Sequence, residues 1–222
     1  MPALFVRMCG ELCGSEPEVS MLAYSNRTLE WHRKEYFSVR FALLYGQYDY
    51  CVIQQYGHPF PGTELTEPAL SEIVSLCRTA RTTPVLFMTW AKKGERETFL
   101  SIRDDYRTLA SKYDLCLAPI GELFYAVAES HPEIELYRHD GSHASAYGSY
   151  LITAALAAFL LHPKDLSALS DRSHDFHAHY NDEGIPTAEE DLSRVPVILD
   201  AKYAAILRKT VENRILNHKD FD

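Results

Sequence analysis

The chain has no apolar run long enough to cross a bilayer. Its longest, Tyr150 to Leu161, falls well short of a spanning helix. No basic run occurs either, and the formal net charge of -9 over 222 residues argues against a nucleic-acid surface, where Lys and Arg must cluster against phosphate. A positively charged start followed by an apolar stretch, the mark of a secretory leader, is also missing. Cysteine is scarce and odd in number: Cys9, Cys13, Cys51, Cys77 and Cys116, mostly inside apolar runs. That pattern fits free thiols in a reducing compartment rather than a disulfide framework, so a cytoplasmic protein is expected. Cys9 and Cys13 have no second ligand pair nearby, and no zinc is assigned. No cofactor and no metal are called for.

What is present is an ordinary globular composition, 46% hydrophobic and 24% charged, in a length that buries one full core. The expected domain is 1–161, with 162–222 as a loop and helical extension packing on it. The pattern alternates strand and helix. Helices are expected over Pro2 to Cys13, Asn26 to Gly46 (Leu29, Phe37, Phe41 and Leu44 facing inward), Glu67 to Arg81, Glu97 to Tyr113 and Gly121 to Ser130. A last amphipathic helix is expected from Val195 to Ile215. Strands are expected over Glu18 to Ser25, Tyr48 to Gln54, Pro84 to Trp90 and Leu115 to Pro119, their apolar runs suiting a parallel sheet buried on both faces. In such sheets chemistry gathers at the carboxyl ends of strands. Here those ends carry Ser25-Asn26, Gln54-Gln55, Thr89-Trp90 and Pro119.

The segment Asp140-Gly141-Ser142-His143 lies just ahead of the apolar run. A tight loop entering a buried helix would let the Asp140 carboxylate accept a hydrogen bond from His143 and fix its tautomer, as in the base half of a Ser-His-Asp device. A helix cap with a surface histidine is the competing reading. A second Asp-x-x-His, Asp171 to His174, has no apolar helix behind it. His174, His177 and His179 sit in a polar stretch read as a solvated loop rather than a metal site. Trp90 is a packing residue or a platform for a sugar ring. Gln55, His32, His58, Tyr147 and Tyr150 are read as structural or solvated.

Five short stretches, taken in order, resemble the SGNH (GDSL-like) hydrolase superfamily. They are Asp49 to Gln55, Met88-Thr89-Trp90-Ala91, Ala118-Pro119-Ile120-Gly121, Asp140 to His143, and Gly148-Ser149-Tyr150-Leu151. The likeness is to a bacterial branch whose third-strand motif ends in Gln; it runs from about Met1 to Leu161 and returns weakly over Val197 to Ile215. The resemblance implies a flavodoxin-like three-layer α/β/α fold with a parallel sheet. It also implies hydrolysis of a small-molecule or carbohydrate ester, with His143 and Asp140 as the catalytic pair. Gln54 falls where the family has a side-chain oxyanion donor, and the Ser25 to Thr28 stretch, including Asn26, falls where it has a glycine donor.

The sequence departs from the family in two places. No glycine stands at that second-strand loop. Ahead of Pro2 there is also no apolar strand and no Gly-Asp-Ser or Gly-Asn-Ser, so both the central first strand and the nucleophilic serine are expected to be missing. Three accounts follow: a shortened record of a complete enzyme, a silent relative that binds carbohydrate or another small ligand in the same cleft, or a different serine (Ser25, Ser142 or Ser145). No membrane partner is expected, and the oligomeric state is left open.

Overall fold

The computed structural model describes residues 2–24, 26–176 and 194–217. The chain divides into two compact units, one formed by Met1–Val19 and Ala126–Asp222, the other by Ser20–Tyr125.

The central unit is a parallel α/β assembly. Strands β1 (Tyr50–Ile53), β2 (Thr83–Phe87) and β3 (Cys116–Ala118) form a three-stranded sheet in that order. Tyr50 lies opposite Thr83 and Ile53 opposite Leu86; Val85 lies opposite Cys116 and Phe87 opposite Ala118. Two parallel crossovers join the strands: α4 (Gly62–Ala80) packs on β2, and α5 (Arg96–Tyr113) packs on β3. Their apolar faces bury Leu70, Ile73, Val74, Ile102, Tyr106 and Leu109 against Ile53, Leu86 and Met88. Each such side chain contributes roughly 1.5–3 kcal/mol by leaving water. Phe99 and Tyr125 stack at 4.1 Å between centroids. At the tips of the strands the backbone is packed to contact: a Cβ on Gly57 would lie 2.8 Å from Thr89 Oγ1, and one on Gly121 would lie 2.1 Å from the Thr89 carbonyl oxygen.

Two elements before the sheet differ from expectation. Residues 18–24 form no strand, and Val19, Met21, Leu22 and Tyr24 are exposed rather than paired. The single helix expected over Asn26 to Gly46 is two, α2 (Leu29–Lys34) and α3 (Tyr36–Gly46). Glu35 breaks them at φ -75°, ψ 56° while its N–H still closes on the Trp31 carbonyl. The break resets the helical phase. Leu29 and Leu43 therefore point into the core, and Phe37, Phe41 and Tyr45 become an exposed stripe with ring centroids 5.5 and 5.8 Å apart, contrary to the inward placement expected for Phe37 and Phe41. Helix α4 starts at Gly62 instead of Glu67, with the Thr66 hydroxyl donating to the Gly62 carbonyl.

The other unit is built around α7 (Ala146–Leu161), whose Ala154, Ala155, Ala157 and Ala158 are buried and let neighbours approach closely. Helices α1 (Pro2–Cys13) and α8 (Ala201–Val211) pack against it. α6 (Ile120–Ser130) spans the boundary between the units. A π-helical turn, Glu212–Leu216, continues α8, and the Glu212 carboxylate accepts from the Leu166 N–H at 3.0 Å.

The helix expected from Val195 is a strand at first. β4 (Arg172–Phe176) and β5 (Arg194–Ile198) pair antiparallel, Arg172 opposite Ile198. The β-branched run Val195-Pro196-Val197-Ile198, with a proline that cannot donate inside a helix, is the local reason. The Asp200 carboxylate caps α8, accepting from the N–H groups of Lys202 and Tyr203.

Candidate functional site

The loop ahead of α7 is a closed hairpin. Tyr137 and Ala144 bridge antiparallel, the Arg138 N–H donates to the His143 carbonyl at 2.8 Å, and the Gly141 N–H donates to the Arg138 carbonyl at 2.9 Å. Gly141 turns the chain at φ +65°, a conformation that favours glycine. Ser145, not Asp140, is the helix cap: its hydroxyl oxygen accepts from the Gly148 N–H at 3.2 Å and donates to the Glu135 carbonyl at 2.7 Å.

That frees Asp140 for another task. Its Oδ1 accepts from the N–H groups of Ser142 and His143 at 2.8 and 2.9 Å, and its Oδ2 lies 2.7 Å from His143 Nδ1. Partial burial works to raise the Asp140 carboxyl. The hydrogen bonds from the Ser142 N–H and from the imidazole and N–H of His143 outweigh it and hold the group well below the usual carboxylate range. An ionised Asp140 therefore draws the imidazole proton onto Nδ1 and leaves Nε2 with its lone pair outward. The His143 side chain is 78% exposed, and among the described residues nothing bonds Nε2.

The second Asp-x-x-His is built differently. The Asp171 carboxylate takes Arg208 at 2.6 Å, and the same guanidinium donates to the Tyr150 hydroxyl at 2.9 Å and the Leu169 carbonyl at 3.2 Å. His174 follows within β4, and extended backbone separates residues three apart by about 10 Å on opposite faces. Asp171 is a structural anion. His177 and His179 lie outside the described residues.

In the central unit, Asn26 and the loop after β1 are brought together. Asn26 adopts φ 57°, the left-handed conformation a glycine favours, at the position where the sequence has no glycine, and its Oδ1 accepts from the Tyr56 hydroxyl at 3.3 Å. Gln54 is exposed at the tip of β1. Gln55, read as structural, is 1% exposed and ties four segments together. Its Oε1 accepts from Leu29 N–H at 3.0 Å and Tyr56 N–H at 2.7 Å; its Nε2 donates to Thr66 Oγ1 at 3.0 Å; its own N–H donates to the Tyr106 hydroxyl at 3.3 Å. This anchoring role was not foreseen in detail; the Gln-Gln doublet closing a buried strand was its only trace.

Trp90 is half-buried and stacks on Phe124 at 4.9 Å and 13°, in line with packing. His32 packs edge-on against Trp31 and tilted against Tyr24, and burial pushes its pKa down. Tyr150 is buried on Arg208, and the Tyr147 hydroxyl accepts from the Asp200 N–H at 3.2 Å. Of the alternative serines, Ser145 is committed to capping α7 and Ser25 lies outside the described residues. Asp140 and His143 belong to one compact unit; Asn26, Gln54 and Trp90 belong to the other. Among the described residues no group of three or more His, Cys, Asp or Glu side chains is placed to hold a metal ion, and no helix is long and apolar enough to cross a membrane.

The fold is a mixed α/β one, a parallel three-stranded sheet flanked by helices. It is shared with a solved structure from Slackia heliotrinireducens, provisionally described as an SGNH hydrolase, at TM-score 0.58 and 24% sequence identity. The match covers 70% of this chain and 90% of that one. No family model and no curated protein matches the chain.

Proposed function

We propose that this chain carries the general base and the oxyanion loops of an SGNH-type hydrolase that acts on carboxylic esters, acetyl or acyl groups on carbohydrate being the substrate class. The observation that supports it most is the 2.7 Å contact between Asp140 Oδ2 and His143 Nδ1, made by a carboxylate whose other oxygen locks the loop. In this reading His143 Nε2 takes the proton of a serine hydroxyl as it attacks the ester carbonyl, then gives it to the departing alcohol. By the family resemblance alone, the Asn26 N–H and the Gln54 side-chain amide are the candidate oxyanion donors, a contribution of about 3 kcal/mol where one such donor has been removed elsewhere.

The serine of this scheme is not one of the residues above. Support for a further strand bearing it comes from β1: among the described residues its outer edge has no strand partner, and Tyr50 and Val52 on one of its faces are 47% and 39% exposed. The test is to read the genomic sequence ahead of Met1 in frame and to express the extended product. An apolar strand ending in Gly-Asp-Ser or Gly-Asn-Ser, and turnover of p-nitrophenyl acetate by that product, are expected. An in-frame stop codon directly upstream would favour the silent binding module instead.

A further inference from the structure

The hairpin that carries Asp140 and His143 is closed on itself. Its own hydrogen bonds hold the ring against the carboxylate but do not set the direction in which the pair points. That direction is decided where the second leg of the hairpin, Ala144 and Ser145, runs into the first turn of α7. Two hydrogen bonds from far along the chain hold this turn. The Ser173 hydroxyl, on β4, donates to the Ala146 carbonyl at 2.7 Å. The Asp200 N–H, at the start of α8, donates to the Tyr147 hydroxyl at 3.2 Å, and the Tyr147 ring meets Tyr203 edge-on at 5.9 Å.

Ser173 is 1% exposed, and the Ala146 carbonyl is the partner that a buried hydroxyl requires. The strand that presents it is itself anchored. Ser173 lies opposite Val197 of β5, and the Leu199 N–H donates to the Asp171 carbonyl at 2.8 Å. Arg208 of α8 takes the Asp171 carboxylate at 2.6 Å. The Glu11 carboxylate of α1 accepts from the Ser170 N–H at 3.0 Å and from the Ser170 hydroxyl at 2.7 Å. All these residues belong to the same compact unit as His143.

We infer that Ser173 and Tyr147 are positioning residues for His143: the segment that follows α7 braces the first turn of that helix and so aims the imidazole Nε2. Both act through the backbone of the loop's second leg. The catalytic meaning of that aim rests on the hydrolase reading above; the aim itself does not. A reacting group displaced by about 1 Å loses roughly a hundredfold in rate, so a brace of this kind matters to a base. Thr153 makes a bond of the same sort farther along α7, its hydroxyl donating to the Ser149 carbonyl at 2.7 Å, and supplies the control.

The test reads the His143 ring directly. Residual dipolar couplings of its C–H bonds, measured against the amides of α7 in the native chain, give the angle between ring and helix without any substrate. In Ser173→Ala these couplings should shrink as the ring loses its fixed direction. The ring ¹⁵N shifts should stay as in wild type, because the Asp140 contact is closed within the hairpin. Tyr147→Phe, which removes one oxygen and keeps the ring, should shrink the couplings too, and it decides the matter where Ser173→Ala does not fold. Thr153→Ala should leave them unchanged. In the full-length protein Ser173→Ala should lower kcat on p-nitrophenyl acetate about tenfold with KM within twofold. Wild-type couplings in both variants, or an equal loss in Thr153→Ala, overturn the inference. So does an unchanged kcat in Ser173→Ala where His143→Ala is inactive. Activity retained in His143→Ala ends the hydrolase reading instead, and the couplings still decide the brace.

Discussion

The Asp140 carboxylate holds His143 twice, its Oδ1 accepting from the His143 N–H at 2.9 Å and its Oδ2 from the imidazole Nδ1 at 2.7 Å. One residue thus fixes both the loop and the ring it presents. Asp140→Asn keeps an oxygen for the backbone but turns an N–H₂ toward Nδ1. The neutral imidazole should then switch from the Nδ1–H to the Nε2–H tautomer, read directly by ¹⁵N NMR of the ring. An unchanged tautomer would mean that the carboxylate does not orient the ring.

The same bonds set a pH dependence. Because the folded Asp140 carboxyl lies below its unfolded value of about 3.9, its stabilising contribution is complete above that value. It is lost as pH falls through the lower folded one. The Asp140 carboxyl carbon should therefore show its own protonation step only in acid stronger than the ordinary aspartate range. A transition centred near the ordinary aspartate value would contradict the geometry.

Gln55 is the test of the strand-tip assembly. Gln55→Ala leaves the Leu29 and Tyr56 N–H groups and the Thr66 hydroxyl short of a partner in a buried place, which should cost about 2–4 kcal/mol in urea denaturation. Gly121→Ala should also destabilise, although a helical Gly→Ala change ordinarily gains up to about 1 kcal/mol, because the new Cβ meets the Thr89 carbonyl at 2.1 Å. A stabilised Gly121→Ala would show that this contact relaxes freely.

Phe37 and Leu43 separate two descriptions of α3. Phe37 is 67% exposed and Leu43 is buried, so Phe37→Ala should stay within about 0.5 kcal/mol of wild type while Leu43→Ala loses about 2–5 kcal/mol. The reverse order would restore one continuous helix from Asn26 to Gly46.

These elements also mark what was legible in the residues. The parallel strands and their crossovers could be read because buried apolar runs such as Val85-Leu86-Phe87 alternate with helices of clear 3.6-residue period. The Asp140–His143 contact could be read because its geometry is local, closed within one hairpin. What could not be read depends on a single backbone choice or a distant partner. Glu35 carries no helix-breaking signal, yet its ψ of 56° turns Phe37 and Phe41 outward. β4 is polar and is recognisable only beside β5, far along the chain. The left-handed Asn26 supplies a glycine's conformation without a glycine. Asp171 matched the motif spacing, and only the fold shows that Arg208 takes its carboxylate.

The most direct measurement compares His143→Ala with His174→Ala in the full-length protein, assayed on p-nitrophenyl acetate. His143→Ala should reduce kcat by about a thousandfold or more, as loss of a triad member does, with His174→Ala within twofold of wild type. Retained activity in His143→Ala, or its loss in His174→Ala alone, would contradict the assignment of the base.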